Sequence, residues 1–89
     1  MRLLVKIGGT LLDAEASRRR LAAELAAASS GAELVVVHGG GKQMTRFLAE
    51  RGIESRFVNG LRVTTPETLD AVLKVLAGSV NQELVAALI

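Results

Sequence analysis

Apolar residues along this chain fall into two short dense runs and several longer stripes at helical spacing. The first run, Leu3-Leu4-Val5-Lys6-Ile7, ends at Gly8-Gly9-Thr10; its length and β-branched content predict a buried strand followed by a tight turn. From Ala14 to Ser29 the residues are Ala, Leu, Glu and Arg, with Leu21 and Leu25 at i, i+4 and a Ser30-Gly31 stop, the signature of a helix. Leu34-Val35-Val36-Val37 is the second run, and four consecutive apolar residues predict a strand buried on both faces of a parallel sheet. It ends at His38-Gly39-Gly40-Gly41, after which Lys42 to Arg51 reads as a helix stopped by Gly52.

Beyond Ile53 the pattern changes to short extended pieces around Asn59-Gly60, a turn pair that predicts a β-hairpin beside the main sheet. Thr65-Pro66-Glu67 then supplies an N-cap, a first-turn proline and a first-turn acid. Leu69, Val72, Leu73 and Leu76 follow as one helical stripe, Gly78 either breaks or bends it, and Asn81 to Ile89 is helical again. Strands alternating with helices imply right-handed crossovers and a mainly parallel sheet covered on both sides, an α/β fold. No repeat, low-complexity stretch or linker divides residues 1–89. The last residues, Leu84-Val85-Ala86-Ala87-Leu88-Ile89, carry no helix stop and no polar tail, so the chain is expected to be part of a longer protein.

Composition narrows the function. Apolar residues make up 49% of the sequence but aromatic residues only 2%, so Val, Leu and Ala must fill any core. The calculated pI is 9.7, yet the formal net charge is only +2, and the one basic cluster, Arg18-Arg19-Arg20, fits a solvated helix face. With Phe47 and Phe57 the only aromatic residues, material for base stacking is scarce, and nucleic acid is not the expected partner. The absence of cysteine excludes disulfides and thiolate metal sites. No apolar run was expected to reach the ~20 residues of a membrane span, and a charge interrupts the N-terminus too early for a signal peptide. A cytoplasmic protein without a membrane partner is the expectation.

The chemistry is expected at the two glycine turns. Ligands of open α/β sheets bind beyond the carboxyl ends of the strands, so turns on neighbouring strands face one crevice. Glycine lets the backbone approach an anion with its N–H groups, and a following helix N-terminus adds favourable polarity. Lys6, at the end of the first strand, is either aimed at a phosphate or reaching past a strand edge to water. Arg62 can grip a carboxylate with its planar fork or be a surface residue beside a turn. His38 fits a structural hydrogen-bonding role, and Asn81 fits helix surface or packing. Gly39-Gly40-Gly41-Lys42-Gln43 lacks the third glycine of a dinucleotide fingerprint and the earlier glycine and Ser/Thr of a P-loop. His38-Gly39-Gly40-Gly41 has the form of an esterase oxyanion turn, but no G-x-S-x-G nucleophile elbow accompanies it.

Taken together, the motifs resemble the amino-acid kinase family. Lys6-Ile7-Gly8-Gly9-Thr10-Leu11-Leu12 is similar to its K-x-G-G opening, and Val35-Val36-Val37-His38-Gly39-Gly40-Gly41 to its second glycine turn. Asn59-Gly60-Leu61-Arg62-Val63-Thr64 and Leu76-Ala77-Gly78-Ser79-Val80-Asn81 resemble segments of the branch that acts on N-acetyl-L-glutamate. The resemblance implies a three-layer αβα sandwich of which residues 1–89 are the N-terminal, acyl-substrate-binding lobe. A C-terminal ATP-binding lobe, with the nucleotide-base site, an aspartate and a second lysine, would lie outside this chain. The implied reaction moves the γ-phosphate of ATP, bound with Mg2+, to the side-chain carboxylate of N-acetyl-L-glutamate, in arginine biosynthesis. Lys6 would stabilise the transferring group, Gly8 and Gly9 would bind ATP phosphate, Gly40 and Gly41 would hold the acyl substrate, and Arg62 its α-carboxylate. No tightly bound cofactor and no resident metal are implied.

A carboxylate is already ionised at neutral pH and attacks phosphorus without a general base, so the lack of one here is no objection. Two other readings stay open at this stage, a kinase for a related acylated amino acid such as acetylaminoadipate or succinylglutamate, and a non-catalytic module for small anions. The resemblance further implies a homodimer formed through this lobe, with the Leu69, Val72, Leu73, Leu76 stripe as candidate contact or core. Because the first strand begins by Leu3, the extra N-terminal helix of arginine-inhibited members is not expected, nor is the chain by itself expected to turn over substrate.

Overall fold

The computed structural model describes residues 1–89. Strand β1 (Arg2–Ile7) and strand β2 (Glu33–His38) pair in parallel, in register from Arg2 against Glu33 to Ile7 against His38. The expected crossover is a short helix α1 (Gly9–Asp13) and a long helix α2 (Glu15–Ser29). α1 was not anticipated, since the first glycine turn winds directly into a helical turn. Arg18 joins the two helices by donating to the carbonyls of Leu12 and Asp13 at 2.9 and 3.2 Å. Those are the carbonyls that a short helix leaves without partners. The same guanidinium lies 3.2 Å from Glu83, so Arg18 is a structural clasp, not the solvated face expected of the arginine cluster.

Helix α3 (Gly41–Glu50) follows β2 directly. Strands β3 (Phe57–Val58) and β4 (Leu61–Arg62) form a separate antiparallel pair, turned by Asn59 and Gly60 at φ 51° and 79°. Helix α4 (Pro66–Ala71) begins at Thr65, whose hydroxyl accepts from the Thr68 N–H, as the Thr-Pro-Glu signal required. Gly78 neither breaks nor ends the helix. It lies in a π-helical segment (Val72–Val80) that continues without interruption into α5 (Asn81–Leu88).

The core gathers on one face of β1 and β2. Ile7, Leu12, Leu25, Met44, Leu48, Ala71, Val75, Val80 and Leu84 are buried together, with Val5, Leu34 and Val36 packed against them. On the opposite face Leu4, Lys6, Val35 and Val37 are exposed. Two expectations therefore fail for residues 1–89. β2 is covered on one face only, and Lys6 is not in a buried strand. The continuous helix Pro66–Leu88 corrects a third. Its 23 residues are long and apolar enough to cross a membrane by length and composition. Here one stripe of it, Ala71, Val75, Val80 and Leu84, is buried in the core, while its outer side carries an Asp70–Lys74 ion pair and the exposed Leu69 and Leu73.

Candidate functional site

Parallel pairing brings the carboxyl ends of β1 and β2 side by side, and with them both glycine turns. The Gly39 N–H donates to the Ile7 carbonyl at 2.9 Å, extending the ladder into the second turn. The turns then touch. A β-carbon on Gly9 would lie 2.8 Å from Gly40 Cα and 3.1 Å from its nitrogen, so only glycine fits there. Gly40 is itself buried, and a β-carbon on it would meet Leu76 Cδ2 at 2.5 Å. Gly8 has open space around it. Lys6 bends from the open face of the sheet over this junction. Its Nζ is 3.4 Å from the Ile7 carbonyl and 3.2 Å from where a Gly39 β-carbon would stand. No side chain caps α3, whose first-turn N–H groups have no acceptor within the helix. One cation and two sets of backbone donors thus meet at one end of the sheet.

Arg62 reaches the same junction from β4. Its Nη2 donates to the Gly41 carbonyl at 3.1 Å and to Thr45 Oγ1 at 3.0 Å, and its Nη1 to Ser55 Oγ at 2.7 Å. The guanidinium also lies 4.7 Å from the centroid of the Phe57 ring. A guanidinium has five N–H groups, so three hydrogen bonds orient it and leave two free to bind an anion. The structure therefore gathers Lys6, Gly8, Gly9, Gly40, Gly41 and Arg62, the six residues singled out from sequence, at one end of the sheet.

Three further residues were not foreseen as part of this arrangement. Gln43 is buried beneath the turns, where its Nε2 donates to the Gly9 carbonyl at 2.7 Å and its Oε1 has no partner. The available signal was a polar residue on the apolar side of α3, next to Met44 and four residues before Phe47. Thr45 and Ser55 hold Arg62, but hydroxyls at such positions carry no sequence signal. Asn81, expected as helix surface or packing, has its Oδ1 3.1 Å from His38 Nε2. His38 Nδ1 is 3.0 Å from the Gly39 carbonyl, the structural role expected of it.

Beyond the two turns, Asp13 at the end of α1 receives Arg46 from α3 through two hydrogen bonds of 2.7 and 3.2 Å, with Lys42 Nζ at 3.6 Å. The bonds from Arg46, joined by the charges of Arg46 and Lys42, hold the Asp13 carboxyl below its ordinary 3.8 against the opposing effect of partial burial. Arg46 is raised in turn by Asp13. Asp13 is thereby committed to tying the first turn to α3. No group of three His, Asp or Glu side chains assembles elsewhere to hold a metal ion.

A sequence profile described as the Amino acid kinase family matches residues 1–89. The chain belongs to this family. It is 71% identical over 89 residues to an acetylglutamate kinase of Solibacter usitatus, a match that covers 99% of the chain and 35% of that protein. An acetylglutamate kinase of Frankia alni is 50% identical over 84 residues, covering 93% of the chain and 24% of the relative. Among solved structures, the N-acetylglutamate synthase of Neisseria gonorrhoeae, complexed with coenzyme A and N-acetyl-glutamate, superposes with a TM-score of 0.85 at 33% identity. That match covers 98% of the chain and 20% of the synthase. The chain thus spans about a third or less of the length of these relatives. The family match agrees with the resemblance carried by the K-x-G-G opening and the second glycine turn.

Proposed function

We propose that residues 1–89 are the acyl-substrate-holding part of a carboxylate kinase acting on N-acetyl-L-glutamate, within a three-layer αβα sandwich that further sequence completes. The observation that carries this reading is the contact of Gly9 with Gly40, with the Lys6 ammonium beside Gly39 in the same turn. Phosphoryl transfer between two anions is limited by bringing them together and screening their repulsion, and this junction supplies both a cation and glycine N–H groups.

In the reaction, a side-chain carboxylate oxygen of acetylglutamate bonds to the γ-phosphorus as the bond from phosphorus to the β,γ-bridging oxygen breaks. ADP leaves with that electron pair, the acyl phosphate remains, and no proton moves. Gly8 and Gly9 would bind the transferring phosphate, with Lys6 neutralising charge on its oxygens. Gly40 and Gly41 would hold the attacking carboxylate, and the free N–H groups of Arg62 the α-carboxylate. Mg2+ would arrive with ATP. The 71% identity to an acetylglutamate kinase favours this substrate over acetylaminoadipate or succinylglutamate. A cytoplasmic enzyme of arginine biosynthesis fits the same relatives.

The decisive assay is ATP-dependent acyl phosphate formation by the full-length protein, trapped with hydroxylamine. Hydroxamate should form fastest with N-acetyl-L-glutamate, and Lys6→Ala should lower kcat by about a hundredfold or more, as expected for loss of charge stabilisation. Faster turnover of another acylated amino acid would reassign the substrate. The synthase superposition supports a second reading, a lobe that binds the acylated amino acid without phosphorylating it. Acetyl-CoA-dependent acetylation of glutamate, with no hydroxamate formed, would select that reading.

A further inference from the structure

The segment Leu76-Ala77-Gly78-Ser79-Val80-Asn81 has no part in the proposed chemistry, yet it packs directly behind the second glycine turn. A β-carbon on Gly40 would meet Leu76 Cδ2 at 2.5 Å and Val80 Cγ2 at 3.4 Å. Asn81, the next residue, reaches His38 Nε2 at 3.1 Å, and His38 Nδ1 lies 3.0 Å from the Gly39 carbonyl. In an α-helix, Asn81 would sit five steps of about 100° from Leu76, roughly 140° round the axis. The π register narrows that offset. The Asn81 N–H is shared between the Gly78 carbonyl and the Leu76 carbonyl five residues back, a winding that turns Leu76, Val80 and Asn81 towards one neighbour.

From this we infer that Asn81 and His38 are positioning residues, which fix the Gly39 carbonyl and through it the aim of the Gly40 and Gly41 N–H groups. The ring chemistry explains why residue 81 is an amide. An imidazole that donates from Nδ1–H to the Gly39 carbonyl leaves Nε2 as an acceptor, and the Asn81 amide can turn its N–H to it. The amide oxygen, in turn, serves the doubly protonated ring, whose Nδ1–H and Nε2–H then donate to the Gly39 carbonyl and to Asn81 Oδ1 together. A π segment in a long helix is then the means of bringing this amide to the turn, in keeping with the frequent placement of π-bulges at functional sites.

The inference rests on the substrate assignment proposed above, and two measurements on the full-length protein separate them. In Asn81→Ala and in His38→Ala, the KM for acetylglutamate should rise about tenfold, the worth of one well-placed hydrogen bond. The KM for ATP should stay within about twofold, since its phosphates are assigned to the other turn. The double variant should be no worse than the more impaired single variant, the mark of groups acting as a unit. An unchanged acetylglutamate KM, an equal rise for ATP, or additive losses would each overturn the inference.

If the wild-type protein does not act on acetylglutamate at all, the functional reading falls and the brace is judged by hydrogen–deuterium exchange. Asn81→Ser should speed exchange in residues 38–43 while residues 6–11 keep the wild-type rate. Unchanged exchange in residues 38–43 would overturn the brace.

Discussion

Gly8 and Gly9 are adjacent and chemically identical, but the space around them differs. Backbone atoms of Gly40 crowd Gly9, whereas nothing lies within 4 Å of a β-carbon at Gly8. Gly9→Ala should therefore cost about 1–3 kcal/mol through overpacking against backbone that cannot yield, while Gly8→Ala should stay within about 0.5 kcal/mol of wild type. Urea midpoints of the two variants check this, and equal losses would show that the turns do not meet. Asp13 yields a pH prediction. Its carboxyl titrates below 3.8 in the folded chain, so the folded state binds fewer protons there than the unfolded state. The resulting stabilisation is complete above the ordinary carboxylate range and is lost as pH falls through the folded value. The stability gap between wild type and Asp13→Asn should thus be present at pH 7 and shrink near pH 3. A gap that is the same at both pH values would contradict the Arg46 pairing as its source. The site's charged and glycine residues were legible in the sequence because Lys6 and the glycine pairs stand out from their apolar surroundings. Gln43 and the hydroxyls holding Arg62 were not, because their partners are 34, 17 and 7 residues away and no local pattern encodes those meetings.

Among the elements, those with chemical punctuation were the readable ones. Thr65 caps α4 as its neighbours Pro66 and Glu67 announced, and Thr65→Ala should cost about 1 kcal/mol by removing the acceptor for the Thr68 N–H. Thermal unfolding of the two proteins measures that loss, and an unchanged Tm would mean that the cap is not formed. The Asn59-Gly60 hairpin was equally plain, since both residues take the positive φ angles such a turn demands. The π segment was not legible. Within it Leu76, Val80 and Asn81 all touch the second glycine turn, tertiary contacts that helical periodicity does not register. α1 escaped for a related reason, because Gly8-Gly9-Thr10 carries turn chemistry whose helical outcome depends on Leu12 entering the core and on Arg18 closing its last carbonyls.

The whole molecule is more extended than its length requires. Its radius of gyration is 14.5 Å, against ~12 Å for a compact domain of this size. Leu4, Val35 and Val37 stand exposed on one sheet face, and Leu69 and Leu73 on the outer side of the long helix. Parallel sheets are normally covered on both faces, and we propose that the remaining length seen in the relatives covers this one. The Leu69 and Leu73 surface is then the proposed homodimer contact, whereas Val72 and Leu76 of the same stripe are half-buried against the core. Sedimentation of the full-length protein should give a dimer that Leu73→Asp dissociates, and a wild-type monomer would refute the contact. The expectation of a strand buried on both faces came from four consecutive apolar residues, and it fails for 1–89 because no element of this chain packs on the second face.

Everything proposed for the reaction depends on two anions meeting between the glycine turns. A structure of the full-length protein with N-acetyl-L-glutamate, ADP, Mg2+ and aluminium fluoride would locate the transferring group directly. The planar fluoride should lie at hydrogen-bonding distance, about 2.7–3.1 Å, from Lys6 Nζ and the Gly8 and Gly9 N–H groups, with the substrate carboxylate on Gly40 and Gly41. A fluoride bound away from Lys6, or a carboxylate held by neither turn, would contradict the account.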